Sequence, residues 1–235
     1  MLIPIIFTTF APTNKRMSHY LNTENIARST DGVEYHPLRP FLPENARVLF
    51  LGSFPPQRKR WCMDFYYPNF INDHWRIQGQ IFFGDKNHFV DLNHKRFKLE
   101  EIIAFCTEKG IAFFDTSTAI RRLQYNASDK FLEVVEPTDI RTLISHLPHL
   151  LAIITTGEKA TETICTYFGL SAIPQVNTSV PIPLCRDSST QAPLVSKNEA
   201  ESILLYRLPS SSRAYPLAFD KKVDAYRSCL TRFLS

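Results

Sequence analysis

A chain of 235 residues that is 44% hydrophobic and 21% charged is long enough to bury one sizeable core and too apolar to remain disordered. A formal net charge of +4 names no partner by itself, so the placement of charge along the chain has to do that. The five cysteines, Cys62, Cys106, Cys165, Cys185 and Cys229, are scattered and odd in number, and they lack C-x-x-C or Cys/His spacing. That pattern points to a reducing, cytoplasmic setting and to no structural metal.

The opening MLIPIIFTTFAPTNKRM starts apolar but has no basic leader and no small-residue cleavage site, and it is too short to span a membrane. Residues 1–33 read as an N-terminal extension, with Met17 a candidate start, and residues 34–235 as a single domain. RVLFLG, ending at Gly52, has the short apolar run of a strand buried on both faces of a parallel sheet. FKLEEIIAFCTEKG sets Leu99, Ile102, Ile103 and Cys106 at helical spacing and stops at Gly110, and GIAFFDT follows as a second strand.

A polar loop is expected around RRLQYNASDK. Beyond it, Ile140, Leu143, Ile144 and Leu147 share one helical face behind a Thr/Asp cap. LLAIITTG gives a third strand, and GEKATETICTYFG a helix with Ala160, Ile164, Tyr167 and Phe168 inward. The Pro/Ser/Thr-rich stretch from Val180 to Ala200 reads as an exposed connection before ESILLYRLP, the fourth strand. A last helix carries Val223, Tyr226, Leu230 and Phe233. Strands alternating with helices predict a three-layer α/β/α sandwich around a central, mainly parallel four-stranded sheet.

Ligands of such sheets bind beyond the carboxyl ends of the strands. Three segments lie there. LGSFPPQRKRW joins a rigid Gly-Pro turn to three cations, which suits phosphate but from these residues alone reads more readily as a stiff surface turn with solvated charges, and it runs at once into FYYPNFINDHW, where rings crowd around amides. RLPSSSRAYP sets three hydroxyls beside an arginine, a combination suited to a nucleic-acid backbone. TTGEKA is the weakest of the three, and Gly157 and Glu158 read as structural.

From Pro37 to the C-terminus, the chain resembles the uracil-DNA glycosylase superfamily, in the branch near the mismatch-specific and hypoxanthine-DNA glycosylases. LGSFPP looks like that superfamily's G-x-x-P-G turn. YYPNFINDHWRI is similar to its aromatic-aromatic-x-H-P-x-N-x-F-W motif, and RLPSSSRAYP to its L-P-S-[ST]-S motif. The resemblance implies a small α/β/α enzyme without metal or cofactor, and a monomer in the cytoplasm is the accompanying expectation. Such an enzyme flips a deaminated base, uracil or hypoxanthine, out of DNA and hydrolyses its N-glycosidic bond.

Carried over residue by residue, the resemblance places Gly52, Ser53, Phe54 and Tyr67 at the base, with Tyr67 as the stacking platform. Arg58, Ser210, Ser211, Ser212 and Arg213 fall on the DNA backbone, Arg213 being either a wedge or a phosphate contact. Phe54 stands where many relatives have a water-activating Asn or Asp, which moves that task to Asn72, with Asp73 as the competing group. Either residue also suits the cap of the helix that follows. Asn69 and Phe70 replace the motif's His and Pro. Tyr66 and Trp75 read as core aromatics, and Arg121 and Arg122 as a solvated face.

Phe54 also supports a different expectation, a non-catalytic binder of damaged or single-stranded DNA. A third is an enzyme that cleaves nucleosides or nucleotides in the same pocket.

Overall fold

The structure, a computed structural model, describes residues 32–123, 131–183 and 202–234. The N-terminal segment that includes Met17, the tip of the RRLQYNASDK loop and most of the Val180–Ala200 connection lie outside the described residues.

Five short runs assemble the central sheet: β2 (Val48–Gly52), β5 (Ile111–Asp115), β8 (Ala152–Thr155), β9 (Thr178–Pro181) and β10 (Leu204–Arg207). Their order is β5-β2-β8-β10-β9, and the first four are parallel. Val48 faces Ile111 on one side and Ala152 on the other, and Val48, Leu49, Phe50 and Leu51 are fully buried. An unbroken apolar run in a parallel strand needs both faces covered, and the helices cover them. These are α1 (His74–Phe83), α2 (Leu99–Lys109), α3 (Ile140–Ser145), α4 (Glu158–Tyr167) and α5 (Phe219–Leu234).

Helix ends follow local chemistry. Asp139 caps α3, its carboxylate accepting from the Thr142 amide at 3.1 Å. Gly110 closes α2 in the left-handed region at φ 68, its amide donating back to Cys106 and Thr107. A Cβ at Gly110 would stand 2.5 Å from the Asn45 carbonyl oxygen. Gly110→Ala is therefore expected to lower stability by about 1–3 kcal/mol, read by urea denaturation.

Two features depart from the expected layout. The sheet gains a fifth strand, β9, which runs antiparallel to β10 and turns the start of the presumed connection into an edge. The polar region around Arg121 is not a plain loop. There, β6 (Ser117–Arg122) and β7 (Leu132–Pro137) pair antiparallel, and β1 (Val33–Tyr35) joins β6, making a second, three-stranded sheet. Its exposed positions mix polar residues with Tyr35 and Val135, Arg121 and Glu133 pair at 2.9 Å, and Ile120 and Leu132 are buried. With so few buried apolar residues, its alternation gives no strong strand signal. Two residues form each of β3 (Val90–Asp91) and β4 (Arg96–Phe97), which pair as a short hairpin.

Candidate functional site

Because β2, β5, β8 and β10 are parallel, Gly52, Asp115, Thr155 and Arg207 all stand at one edge of the sheet, and the segments after them form its rim. The rim is held together by side chains from distant parts of the chain.

After β2, the Gly52–Pro56 turn is clamped rather than free. Arg122 donates to the Pro55 carbonyl at 2.6 Å and to both oxygens of Glu34 at 2.9 and 3.0 Å. Its side chain is 7% exposed, so Arg122 is a structural clamp and not part of a solvated face. Phe54 turns toward the small sheet, where it is 8% exposed, packs with Ile120 and Leu132, and meets the His36 ring edge-on at 5.3 Å. Ser53 is buried. Arg58 lies half-exposed over the Trp61 ring and pairs with Asp64, a solvated arrangement worth little to stability.

Under this turn lies a pair that sequence reading missed. His36 Nε2 and Asp115 Oδ2 are 2.9 Å apart, with side chains 4% and 10% exposed. A Cβ on Gly52 would come within 2.4 Å of Asp115 Oδ1, so the glycine leaves the room this carboxylate occupies. The one available signal is an acid closing the apolar strand in GIAFFDT. Nothing local points to His36, 79 residues away.

Tyr67 is half-buried and has φ 50, a left-handed backbone costly for a bulky residue. Two contacts hold it there. Its ring stacks on His74 at 3.7 Å and 0°, and its hydroxyl shares a hydrogen bond with Thr156 Oγ1 at 2.9 Å. Thr156 belongs to the TTGEKA segment that reads as structural, so that segment contributes directly to the rim. Gly157, as expected, starts α4.

His74 is fully buried, ringed by Phe50, Trp75, Phe113 and Tyr226 in addition to Tyr67. Neither ring nitrogen has a hydrogen-bond partner among the described residues. Burial alone holds its pKa down to about 3, so the imidazole is neutral at ordinary pH. Tyr66 and Trp75 are core residues as expected, the Trp75 indole donating to the Tyr66 carbonyl at 3.0 Å.

The two residues proposed for water activation have other partners. Asn72 Oδ1 accepts from the His74 amide at 2.9 Å, which makes Asn72, and not Asp73, the side chain that caps α1. Asp73 is 6% exposed. Its Oδ1 accepts from Arg213 Nε at 2.8 Å, and its Oδ2 lies 3.9 Å from Lys222 Nζ.

Through Asp73 the aromatic segment is fastened to the serine loop. The Asp73 amide also donates to the Ser211 carbonyl at 3.0 Å, and Lys222 donates to that of Ser212 at 2.7 Å. Burial lowers the pKa of Lys222, while the Asp73 charge opposes that shift. Ser211 is buried, Ser210 and Ser212 are half-buried, and the Arg213 side chain is 49% exposed. The structure thus brings Asp73, Ser211 and Arg213 together, whereas Phe54 and Gly52 belong with the His36–Asp115 pair.

Among the described residues no group of three or more His, Cys, Asp or Glu side chains could hold a metal ion, and no helix is long and apolar enough to cross a membrane.

No protein-family model and no curated protein matches this chain. Its fold is similar to a solution NMR structure from Methanosarcina acetivorans, provisionally described as a uracil DNA glycosylase. The TM-score is 0.52 at 21% identity, over 83% of this chain and 95% of that one. At that identity the likeness is one of fold.

Proposed function

We propose that this protein is a DNA glycosylase that flips a deaminated base, uracil or hypoxanthine, out of DNA and hydrolyses its N-glycosidic bond. It would act as a cytoplasmic monomer without metal or cofactor. One observation carries the reading. Tyr67, kept in a strained backbone by His74 and Thr156, presents a half-buried ring at the carboxyl edge of the sheet, on a segment joined through Asp73 to the serine loop.

A flipped base needs such a platform, and the strain at Tyr67 is the kind that persists at functional sites. Ser210, Ser212 and the outward part of Arg213 would meet the backbone of the extruded nucleotide, with Arg58 further along the rim. Gly52 and Ser53 supply the turn beside the base. Asn72 orients water or base with the amide group that its capping bond leaves over. The fold similarity to a protein described as a glycosylase supports the same reading.

Labelled single- and double-stranded oligonucleotides with one uracil, hypoxanthine, xanthine or mismatched thymine test the proposal. Alkali-labile abasic sites are expected at uracil or hypoxanthine, and none at any of them removes the enzymatic reading. Lesion-selective binding without cleavage would favour the non-catalytic binder, which the engaged oxygens of Asn72 and Asp73 also suit. Tyr67→Ala should lower kcat/KM by about 10- to 100-fold, because a base stacked on a ring gains roughly 1–3 kcal/mol. Tyr67→Phe should cost far less, since it keeps the ring and gives up the hydroxyl's bond to Thr156.

A further inference from the structure

We infer that Asp115 is the proton acceptor for the attacking water and that His36 is the residue that positions it, an inference that rests on the glycosylase reading above. Hydrolysis forms a bond from water oxygen to the sugar's C1′ and breaks the C1′–N bond, whose electron pair leaves with the base. The water's proton goes to Asp115 Oδ1, and the departing base takes a proton from solvent. An acceptor with an available lone pair is therefore required at the rim, and an amide such as that of Asn72 is a poor one.

The geometry separates the three side-chain candidates. Asn72 Oδ1 is spent on the α1 amide, and Asp73 faces two cations. Asp115 ends β5 beside the Gly52 turn, with Oδ2 on His36 and Oδ1 without a hydrogen-bond partner among the described residues.

That oxygen lies against Gly52, where any side chain would displace it. Phe54, Phe114 and Tyr66 rings surround the imidazole, whose Nδ1 is fixed by the Leu38 backbone, so the donor cannot swing away. Thr138 fixes the Asp115 carbonyl at 2.7 Å. A carboxylate with one oxygen oriented by a buried imidazole and the other without a hydrogen-bond partner among the described residues has the build of a general base. The other described His–carboxylate pair, His94 with Asp91, is exposed and far from such an enclosure.

The test uses the full chain and single-turnover excision of the base that the oligonucleotide panel identifies. Asp115→Asn keeps shape and should slow excision by about 100-fold or more, the span of general-base catalysis. It should still bind a duplex with an abasic-site analogue within about threefold of the parent, because no backbone contact is lost. His36→Leu should cut kcat with little change in KM, and His36→Gln, which retains a donor for Asp115 Oδ2, should recover most of that loss.

An Asp115→Asn protein with undiminished excision overturns the inference while leaving the glycosylase reading intact. So does one that merely changes which base it removes, since Asp115 would then read the base and not the water. A parent protein that cleaves none of the substrates overturns both readings together.

Discussion

Asp73→Ala should lower the unfolding free energy by about 3–5 kcal/mol, the cost of removing one partner from a buried ion pair. Asp73 is 6% exposed and Lys222 is 2% exposed, so the ammonium loses its countercharge where water cannot replace it. Lys222 keeps one bond to the Ser212 carbonyl, and Arg213 is half-exposed, which places the loss toward the lower end of that range. The same substitution removes the side-chain tie to Arg213 and leaves the backbone bond to Ser211, so the serine loop's protection against proteolysis should fall more than that of the central sheet.

Asp73→Asn separates stability from chemistry. It keeps an acceptor for Arg213 and should leave excision within a few-fold of the parent in a protein that remains folded. A folded Asp73→Asn protein without activity would instead return Asp73 to the role of water activator.

His74→Phe is expected to reduce the protein's loss of stability between pH 7 and pH 4. The folded-state pKa of His74 is depressed to about 3, below its ordinary 6.5. Between those values the unfolded chain binds a proton that the folded chain refuses, so stability is fully present above pH 6.5 and is lost as pH falls toward 3.

From pH 7 to pH 4 this single residue should cost about 3 kcal/mol. Phenylalanine preserves the flat ring under Tyr67 and deletes two buried nitrogens that have no partner among the described residues, each a cost of roughly 1–3 kcal/mol. Denaturant melts at the two pH values measure the effect. An unchanged pH slope in His74→Phe would show that the imidazole is not neutral in the folded protein, or not as dry as its enclosure indicates.

The local pattern of the chain carries most of the architecture. Uninterrupted apolar runs such as VLFLG and AIIT predict buried parallel strands, because no polar face is left for water. Helical stripes such as Val223, Tyr226, Leu230 and Phe233, all buried in α5, follow from 3.6-residue periodicity alone. The aromatic segment and the serine loop are likewise visible as rim segments, since each follows an apolar strand.

What stays hidden is whatever depends on partners far along the chain. That Arg213 reaches Asp73 over 140 residues, that Arg122 clamps the Gly-Pro turn, and that His36 pairs with Asp115 are decided only when strands align and the carboxyl ends converge. The small sheet is hidden for a related reason: short strands with few buried apolar residues are stabilised by cross-strand pairing, not by a strong apolar signal of their own. By itself, then, the sequence determines which segments are buried and which segments reach the rim, since burial is written in local periodicity. The tertiary structure alone decides which rim groups are committed to each other, because hydrogen-bond commitment depends on distance in space.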